Sequence, residues 1–490
     1  MIISILYFIL LILSLRYFSF FKINNLNQWT MPIAFTIKTL MGLIFSYIYI
    51  YSIKNTSEPS DAMRFLDESK QLYNVFFKSK SDFFALLTGI GDNARMIHEH
   101  MDKTFIWDAG NFTLINDSRN TIRINCLFRF ISFGEDFVNI LLMCFLSLIG
   151  IHQLYISIQP YSRLNPKILF YSLLLFPSLL FWSSSNLKEP LLILGIGLLA
   201  RALLKQDSIV KRILIGVLAA LLLILFKPYI LLCLLPGILF YFSNKIIFKN
   251  KVLLSSIAFF VLLVIGIICF PNQRQRFTEN LSRKQFNLEN VGKGGIHVDC
   301  KNGYYYFKPH QYKNLNIEKN KVRLIHPSDA VFLSVNTEEK PIDVHLKPAG
   351  EKWNIHIIMP GTNSYIKTTS IHNSFQQLIL NIPEALINTF FRPFPFDNGS
   401  FLKYPAMFEV WALSIFLILA ILFKRKLEAD SKNLIACLFI FAITLALLIG
   451  WTTPVTGAIV RFRFPIQLAL FIVGAILIDF EKLLKKIKHE

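Results

Sequence analysis

The chain has 490 residues, of which 54% are hydrophobic and 17% charged, and its formal net charge is +20. Its apolar residues occur in long unbroken blocks, which excludes an ordinary soluble protein with one or two buried cores. No recognition motif accompanies the positive charge, so no nucleic-acid partner is expected, whereas basic residues at the ends of apolar blocks suit anionic membrane lipids.

The apolar blocks predict eleven transmembrane helices, because about 17–24 apolar residues are needed to cross a bilayer. The first block is interpreted as a retained span, since it lacks the charged n-region and the small-residue cleavage site of a signal peptide. The predicted spans lie near residues 2–21, 32–53, 136–158, 166–183, 189–204, 209–226, 228–243, 251–270, 404–423, 433–451 and 456–479. The sequence therefore predicts an all-α polytopic membrane protein.

The orientation follows from Lys and Arg in the short connections, which concentrate on the cytoplasmic side of membrane proteins. If every block spans, four basic clusters fall on one side, so the N-terminus is expected outside and the C-terminus inside a bacterial inner membrane. These clusters are Arg201, Lys205, Lys211 and Arg212; Lys245, Lys249 and Lys251; Lys424, Arg425, Lys426 and Lys432; and Lys482, Lys485, Lys486 and Lys488.

Two long loops separate the groups of spans and are expected on the extracytoplasmic side. The predicted segments are 1–53 with the first two spans, 54–135 as the first loop, 136–270 as a six-helix transmembrane core, 271–403 as the second loop, and 404–490 with three spans and a basic cytoplasmic tail. The first loop begins with an amphipathic pattern from Asp61 to Phe77, which is typical of a helix lying on a membrane surface.

The second loop has a different pattern. Its segments "VRLIHPSDAVFLSV" and "WNIHIIMPGTNSYI" alternate between polar and apolar residues and are rich in β-branched side chains. This pattern predicts a small β-rich insert near residues 295–370. The segment "SFQQLILNIPEALINTFFRPFPF" then predicts an amphipathic helix and a proline-rich turn that return the chain to the membrane.

Asp61, in "SEPSDAMRFLDESK", is a candidate catalytic residue. A carboxylate just outside a membrane face can act as a general base on a sugar or lipid-linked substrate. The alternative is a helix N-cap, in which Ser60 or Asp61 satisfies free backbone N–H groups at the start of the amphipathic helix. The two roles are compatible.

The line "FPSLLFWSSSNLKEPLLILGIG" contains a polar break between two predicted spans. Lys188 and Glu189 lie at the outer boundary of this hairpin, and charges at membrane depth are usually functional. Glu189 is therefore a candidate catalytic residue and Lys188 a candidate substrate-binding residue. The alternative is interfacial snorkelling of Lys188, with Glu189 and Pro190 in the favourable first turn of the next helix.

The line "GAIVRFRFPIQLAL" places Arg461 and Arg463 inside the start of the last span. Arginine at this depth needs an anionic partner, and its planar guanidinium fits a phosphate or pyrophosphate. Lys227 at another outer hairpin and Arg392 in "FRPFPFDN" are expected to add to one basic pocket. The alternative for the arginines is a structural ion pair with a neighbouring helix. Arg123 and Arg129 are weaker candidates.

No spacing of Cys or His predicts a metal site, although a divalent metal stays open as a cofactor. His98 and His100 lie two residues apart, which does not place both on one face of a helix. Cys126 and Cys300 fall in the two long loops, and their pairing is left open.

Three motifs resemble the GT-C superfamily of polyprenyl-phosphate-sugar-dependent glycosyltransferases. These motifs are Asp61 in "DAMRF" after an early span, "SSSNLKEP" in an external hairpin, and "RFRFP" at the start of a late span. The resemblance covers most of the membrane part but not the β-rich insert, and the paired-acid motif of the superfamily is not evident.

This resemblance implies transfer of a sugar on the outer membrane face, from a polyprenyl-phosphate-linked donor to a glycan, lipid or protein acceptor. A carboxylate would deprotonate the acceptor hydroxyl, and arginines would stabilise the leaving lipid phosphate. An O-antigen or exopolysaccharide polymerase is the alternative, because it shares many spans and external basic loops. A transporter of lipid-linked glycans is less favoured, since the sequence shows no inverted repeat.

Overall fold

The computed structural model describes residues 2–23, 25–51, 60–102, 104, 106–107, 116–318, 321–334, 341–359 and 361–489. These residues are mainly α-helical, with one antiparallel sheet. The helices are α1 (Ile2–Tyr17), α2 (Thr30–Ser46), α3 (Asp61–Lys78), α4 (Lys80–Thr88), α5 (Ala94–His100), α6 (Asp117–Ser132), α7 (Asp136–Ile158), α8 (Pro166–Leu174), α9 (Pro177–Trp182), α10 (Glu189–Leu204), α11 (Ile209–Phe226), α12 (Pro228–Ile246), α13 (Val252–Cys269), α14 (Pro271–Lys293), α15 (Phe375–Leu380), α16 (Ile382–Phe391), α17 (Lys403–Leu422), α18 (Ala429–Thr452), α19 (Thr456–Leu477) and α20 (Phe480–His489).

The chain divides into two compact units. Unit 1 contains Met1–Pro236, Leu417–Ser431 and Phe471–Glu490, and unit 2 contains Gly237–Phe416 and Lys432–Leu470. Both units contain long apolar helices, and the antiparallel sheet belongs to unit 2.

Eight helices in the described part of the chain are long and apolar enough to cross a bilayer, which supports the predicted membrane protein. They are Thr30–Ile50, Asp136–Tyr161, Ile209–Phe226, Pro228–Ile246, Val252–Cys269, Lys403–Leu422, Ala429–Thr452 and Thr456–Leu477. Each of them falls on one of the eleven predicted spans.

The other three predicted spans have shorter helices. The first is α1, with 16 residues, and the fifth is α10, also with 16 residues. The fourth, near 166–183, is divided into α8 and α9. Pro177 explains the break, because proline lacks an N–H and disfavours helical geometry at the residue before it; Phe176 has a ψ of 114°.

Close backbone packing holds α7 against α10 in unit 1. A Cβ placed on Gly197 would lie 2.0 Å from the carbonyl oxygen of Gly150, so both positions require a residue without a side chain. Small residues at such crossings allow helices in membranes to approach one another closely. Helix α7 is largely buried as a result, including its polar residues Asn139 and Gln153.

The first long loop forms a helical subdomain in unit 1. The predicted amphipathic helix from Asp61 to Phe77 is confirmed as α3, which ends at Lys78. Helices α3 to α6 surround an apolar cluster that also receives Leu187 from the polar hairpin. Its fully buried members include Ala62, Phe65, Leu72, Val75, Phe83, Leu86, Ile97, Trp107, Ile122 and Cys126.

The predicted β-rich insert is confirmed in unit 2 as a seven-stranded antiparallel sheet. Its strands are β1 (Gly295–Cys300), β2 (Gly303–Phe307), β3 (Leu315–Glu318), β4 (Lys321–Leu324), β5 (Ser328–Ser334), β6 (Ile342–Leu346) and β7 (Lys352–Met359). Their order in the sheet is β3-β4-β7-β1-β2-β5-β6. One face buries Ile296, Val298, Phe307 and Val322, as expected of strands with alternating residues.

The predicted helix and proline turn after the insert are also present in unit 2. The helical part consists of α15 and α16, with Asn381 between them, and the turn follows a cis Arg392–Pro393 peptide bond. Helix α16 packs closely on α18, where a Cβ on Gly450 would lie 2.1 Å from the carbonyl oxygen of Ala385.

Candidate functional site

Asp61 is the first residue of α3, and Ser60 provides the N-cap. The Ser60 hydroxyl accepts a hydrogen bond from the Met63 backbone N–H at 3.3 Å and donates to the carbonyl of Tyr49. The cap role left open in the sequence therefore belongs to Ser60, while the Asp61 side chain is exposed. A carboxylate at this position is also favoured by the helix dipole.

The polar hairpin after α9 is attached to the start of α3. The Asn186 side-chain amide donates to the carbonyl of Ala62 at 2.7 Å, directly after Asp61 in the chain. The preceding hydroxyls of Ser183, Ser184 and Ser185 bond to carbonyls of the α9 turn. Two of the sequence motifs thus meet at one place in unit 1.

Lys188 connects this hairpin to the start of α6. Its Nζ lies 2.7 Å from Asp117 Oδ2, donates to the Ser118 hydroxyl at 2.9 Å, and lies 5.7 Å from the centroid of the Phe65 ring. The Lys188 side chain is nearly buried, so its main role in this structure is to join α3, α6 and the hairpin.

Glu189 and Lys227 form a buried ion pair in unit 1. Glu189 Oε1 lies 3.5 Å from Lys227 Nζ, and the two side chains are 1% and 6% exposed. Burial of a charge is costly unless it is paired, so each residue stabilises the other. This pair is much less accessible to solvent than Asp61, whose side chain is exposed.

Lys38 is a buried charge that the sequence interpretation overlooked. It lies in α2, is fully buried, and donates from Nζ to the Ser183 hydroxyl at 2.8 Å. A lysine within an apolar span is itself a signal of functional or structural importance. Here the contact ties α2 to the polar hairpin.

Arg129 of α6 is bonded at all three guanidinium nitrogens. It donates to the Ser69 hydroxyl at 2.9 Å, to the carbonyls of Leu66 and Gly134, and to Asp136 at 2.5 Å. Its guanidinium therefore joins α6 to α3 and α7 and is fully used by the protein.

Arg463 is buried in unit 2 and donates to backbone carbonyls. It bonds the carbonyls of Thr389 at 3.3 Å, Ala406 at 3.4 Å and Arg392, at the end of α16 and the start of α17. The side chain of Glu409, in α17, is also buried in unit 2. Arg461 is half-buried two residues earlier in α19.

Arg392 forms an ion pair within the proline turn. Its guanidinium bonds Asp397, and its Nε donates to Asn388 Oδ1 at 2.8 Å. Lys403 donates to the carbonyl of Asp397 at 2.6 Å. These contacts stabilise the "RPFPFD" turn around the Asp397 carboxylate.

One cluster of potential metal ligands occurs among the described residues, in the first-loop subdomain. The ligand atoms of Asp82, Glu99 and His100 lie within 4.8 Å of one another. His100 Nε2 lies 2.9 Å from Asp82 Oδ2, and this hydrogen bond holds the pKa of the Asp82 carboxyl below its usual value. The sequence pattern missed this cluster because Asp82 comes from α4 and the other two from α5.

The seven predicted site residues thus divide between the two units. Unit 1 brings together Asp61, Lys188, Glu189 and Lys227, through contacts of the hairpin with α3 and α6. Unit 2 contains Arg392, Arg461 and Arg463, and Arg463 donates to the carbonyl of Arg392. A common pocket for both groups stays a prediction.

Comparison with known proteins yields no match. No family model, no curated protein and no solved structure is similar to this chain.

Proposed function

We propose that this protein is a membrane glycosyltransferase that moves a sugar from a polyprenyl-phosphate-linked donor to an acceptor on the extracytoplasmic face. The proposal includes eleven spans in a bacterial inner membrane, with the N-terminus outside and the C-terminus inside. It rests on the resemblance of three motifs to the GT-C superfamily and on the orientation given by the basic connections.

The observation that carries the proposal is the hydrogen bond from Asn186 to the carbonyl of Ala62. It joins the motif of the polar hairpin to the motif of the first loop, although 124 positions separate the two residues in the chain. One site at the membrane boundary requires these two segments to meet, and this contact supports it. The ion pair of Lys188 with Asp117 fixes the same arrangement from α6.

In the proposed reaction, the Asp61 carboxylate takes the proton of the acceptor hydroxyl. The acceptor oxygen attacks the anomeric carbon, and the bond between that carbon and the lipid phosphate oxygen breaks. Its electron pair stays on the phosphate, so the products are the new glycoside and polyprenyl phosphate. Asp61 suits the role of base because it is exposed on the first turn of a helix whose position is fixed by the hairpin.

The test is sugar transfer by the purified full-length protein, supplied with a panel of radiolabelled polyprenyl-phosphate monosaccharides and a cell-envelope acceptor fraction. Asp61→Asn should lower the transfer rate by about 10²–10⁴-fold, the usual contribution of a positioned base. Asp67→Asn is the matched control, because it makes the same change at another exposed position of α3.

Equal loss of transfer in both variants, or near-normal transfer by Asp61→Asn, would return Asp61 to a purely structural role. Thermal unfolding of each variant shows whether any loss of transfer comes from misfolding. A wild-type protein that transfers no sugar from any donor of the panel would contradict the proposed function itself.

A further inference from the structure

Two arginines of α6 lie close to one buried indole ring. The Cζ atoms of Arg119 and Arg123 are 4.9 Å and 5.5 Å from the centroid of Trp107. The three residues, called the Trp107 cluster below, are 1%, 6% and 4% exposed, respectively. Residues four apart share one face of a helix, and two like charges there repel each other.

The cluster has hydrogen-bond donors to spare. Arg123 donates from Nε to the carbonyl of Leu86 at 3.0 Å and from Nη1 to Asn120 Oδ1 at 2.9 Å. Its Nη2 and the indole Nε1 of Trp107 are buried and have no hydrogen-bond partner within the described ranges. Buried donors are nearly always bonded in native proteins, so two in one cluster indicate a missing acceptor.

The positive charge of the cluster also favours an anionic ligand. Burial and the neighbouring Arg119 lower the pKa of the Arg123 guanidinium to about 10, and Asp92 opposes this shift. The guanidinium is therefore still charged at neutral pH. Arg129, three turns from the start of the same helix, is instead bonded at every nitrogen. Spare donors are thus a property of the Trp107 cluster and not of α6 as a whole.

We propose that the Trp107 cluster binds a phosphate group. The cluster offers donors and positive charge, and a phosphate offers acceptor oxygens and negative charge; planar guanidinium groups match it closely. The inference rests on the proposed function in naming the phosphate of a lipid-linked donor as the ligand. Trp107 belongs to the same apolar cluster as Ala62, next to Asp61, and Leu187 of the hairpin, which links the phosphate site to the candidate base.

The test is ligand binding by the full-length protein in nanodiscs of uncharged lipid, measured by thermal shift and titration without turnover. The ligands are a short-chain polyprenyl phosphate, inorganic phosphate, and acetate as a carboxylate control. We expect saturable binding of the polyprenyl phosphate. Trp107→Phe, which removes one donor and keeps an aromatic ring, should weaken it by about 2- to 10-fold, and Arg123→Gln by about 10- to 100-fold.

Trp107→Phe also separates binding from folding. Because the indole N–H has no partner in the described part of the chain, its loss should leave the melting temperature of the unliganded protein unchanged or raised. Arg95→Gln is the matched control for charge, since Arg95 is 76% exposed in the same subdomain, and it should bind normally.

Binding of polyprenyl phosphate alone supports the site with a lipid ligand, and binding of inorganic phosphate as well supports it with the phosphate group as the main determinant. The proposal is overturned if no phosphate ligand binds saturably, if Trp107→Phe and Arg123→Gln both bind normally, or if acetate binds as tightly. Phosphate binding without sugar transfer supports the site and contradicts the proposed function. Transfer with unchanged KM in both variants contradicts the site alone.

Discussion

Glu189 and Lys227 are two charges that water hardly reaches, held 3.5 Å apart. The attraction between them offsets the cost of removing both from solvent only while both are present. Their contact fixes the start of α10 against the connection between α11 and α12. The pair therefore supports the hairpin that carries Asn186 and Lys188.

Replacing one partner of this pair should destabilise the protein strongly. We expect Glu189→Gln or Lys227→Met to lower the free energy of unfolding by about 3–5 kcal/mol, because each leaves the other charge buried and unbalanced. The double variant should be more stable than either single variant. Thermal unfolding in detergent measures these changes.

The control is Lys211→Met, at a pair whose lysine is 53% exposed. Exposed pairs contribute about 0–1 kcal/mol, so this variant should melt close to the wild type. Equal stability of all three single variants would show that the buried pair does not hold the hairpin.

For single residues, the sequence predicted local roles such as helix capping better than it predicted which side chains form ion pairs. The helix start at Ser60 and Asp61 follows from a cap residue before an amphipathic segment. The partner of Glu189 does not follow, since Lys227 is distant in the chain and only folding brings it close. The sequence interpretation directed Lys227 and Arg392 to a basic pocket, whereas the structure pairs each with a carboxylate.

Helices α7 and α10 pack at a distance that only glycine permits. The position of Gly197 against the carbonyl of Gly150 leaves no room for a methyl group, while a Cβ on Gly216 of α11 would meet Ala202 Cβ at an ordinary 3.6 Å. Gly197 of α10 and Gly216 of α11 are therefore matched positions for substitution by alanine, one without space for a methyl group and one with it.

Gly197→Ala should destabilise the protein by about 1–3 kcal/mol, because the two helices must move apart. Gly216→Ala should be neutral or stabilise it by up to about 1 kcal/mol, since alanine favours helix and fits the space. Thermal unfolding of the two variants under the same detergent conditions makes the comparison. A Gly197→Ala protein that melts like Gly216→Ala would contradict the close crossing.

Helices and strands with a strong hydrophobic periodicity could be predicted from the sequence. Helix breaks that depend on a single proline could not be predicted as well. The alternating segments of the insert became strands, and the amphipathic segment after Ser60 became α3. The block near 166–183 was predicted as one span because hydropathy does not register the loss of a backbone N–H at Pro177. The two-part helix α15–α16 was expected as one for the same reason, with Pro383 shortly after Asn381.

For the whole molecule, the proposed topology places both long loops on the extracytoplasmic side. We expect single cysteines at Lys70 and Lys347, both exposed, to react in intact cells or spheroplasts with a membrane-impermeant maleimide. A cysteine at Lys426 should react only after the membrane is opened. The experiment uses a background in which Cys269 and Cys300, which are not buried, are replaced by serine.

Labelling of the cysteine at position 70 but not of the one at position 347 would overturn the eleven-span arrangement. Labelling of the cysteine at position 426 from outside would overturn it as well. Hydropathy was sufficient to predict a membrane protein, and the alternating segments were sufficient to predict its β-rich insert. They do not predict the division into two units, because the unit boundaries fall within the helices α12, α17, α18 and α19. That division depends on side-chain packing between segments far apart in the chain.

The identity of the leaving lipid distinguishes a glycosyltransferase from a polymerase and from a transporter. The full-length protein in proteoliposomes would receive polyprenyl-phosphate and polyprenyl-pyrophosphate sugars, and mass spectrometry would follow the lipid products. We expect release of free polyprenyl phosphate from the monophosphate donor, together with sugar on the acceptor, and loss of both in Asp61→Asn. Release of polyprenyl pyrophosphate would indicate a polymerase, and movement of the intact donor across the bilayer would indicate a transporter; either result would contradict the proposed glycosyltransferase.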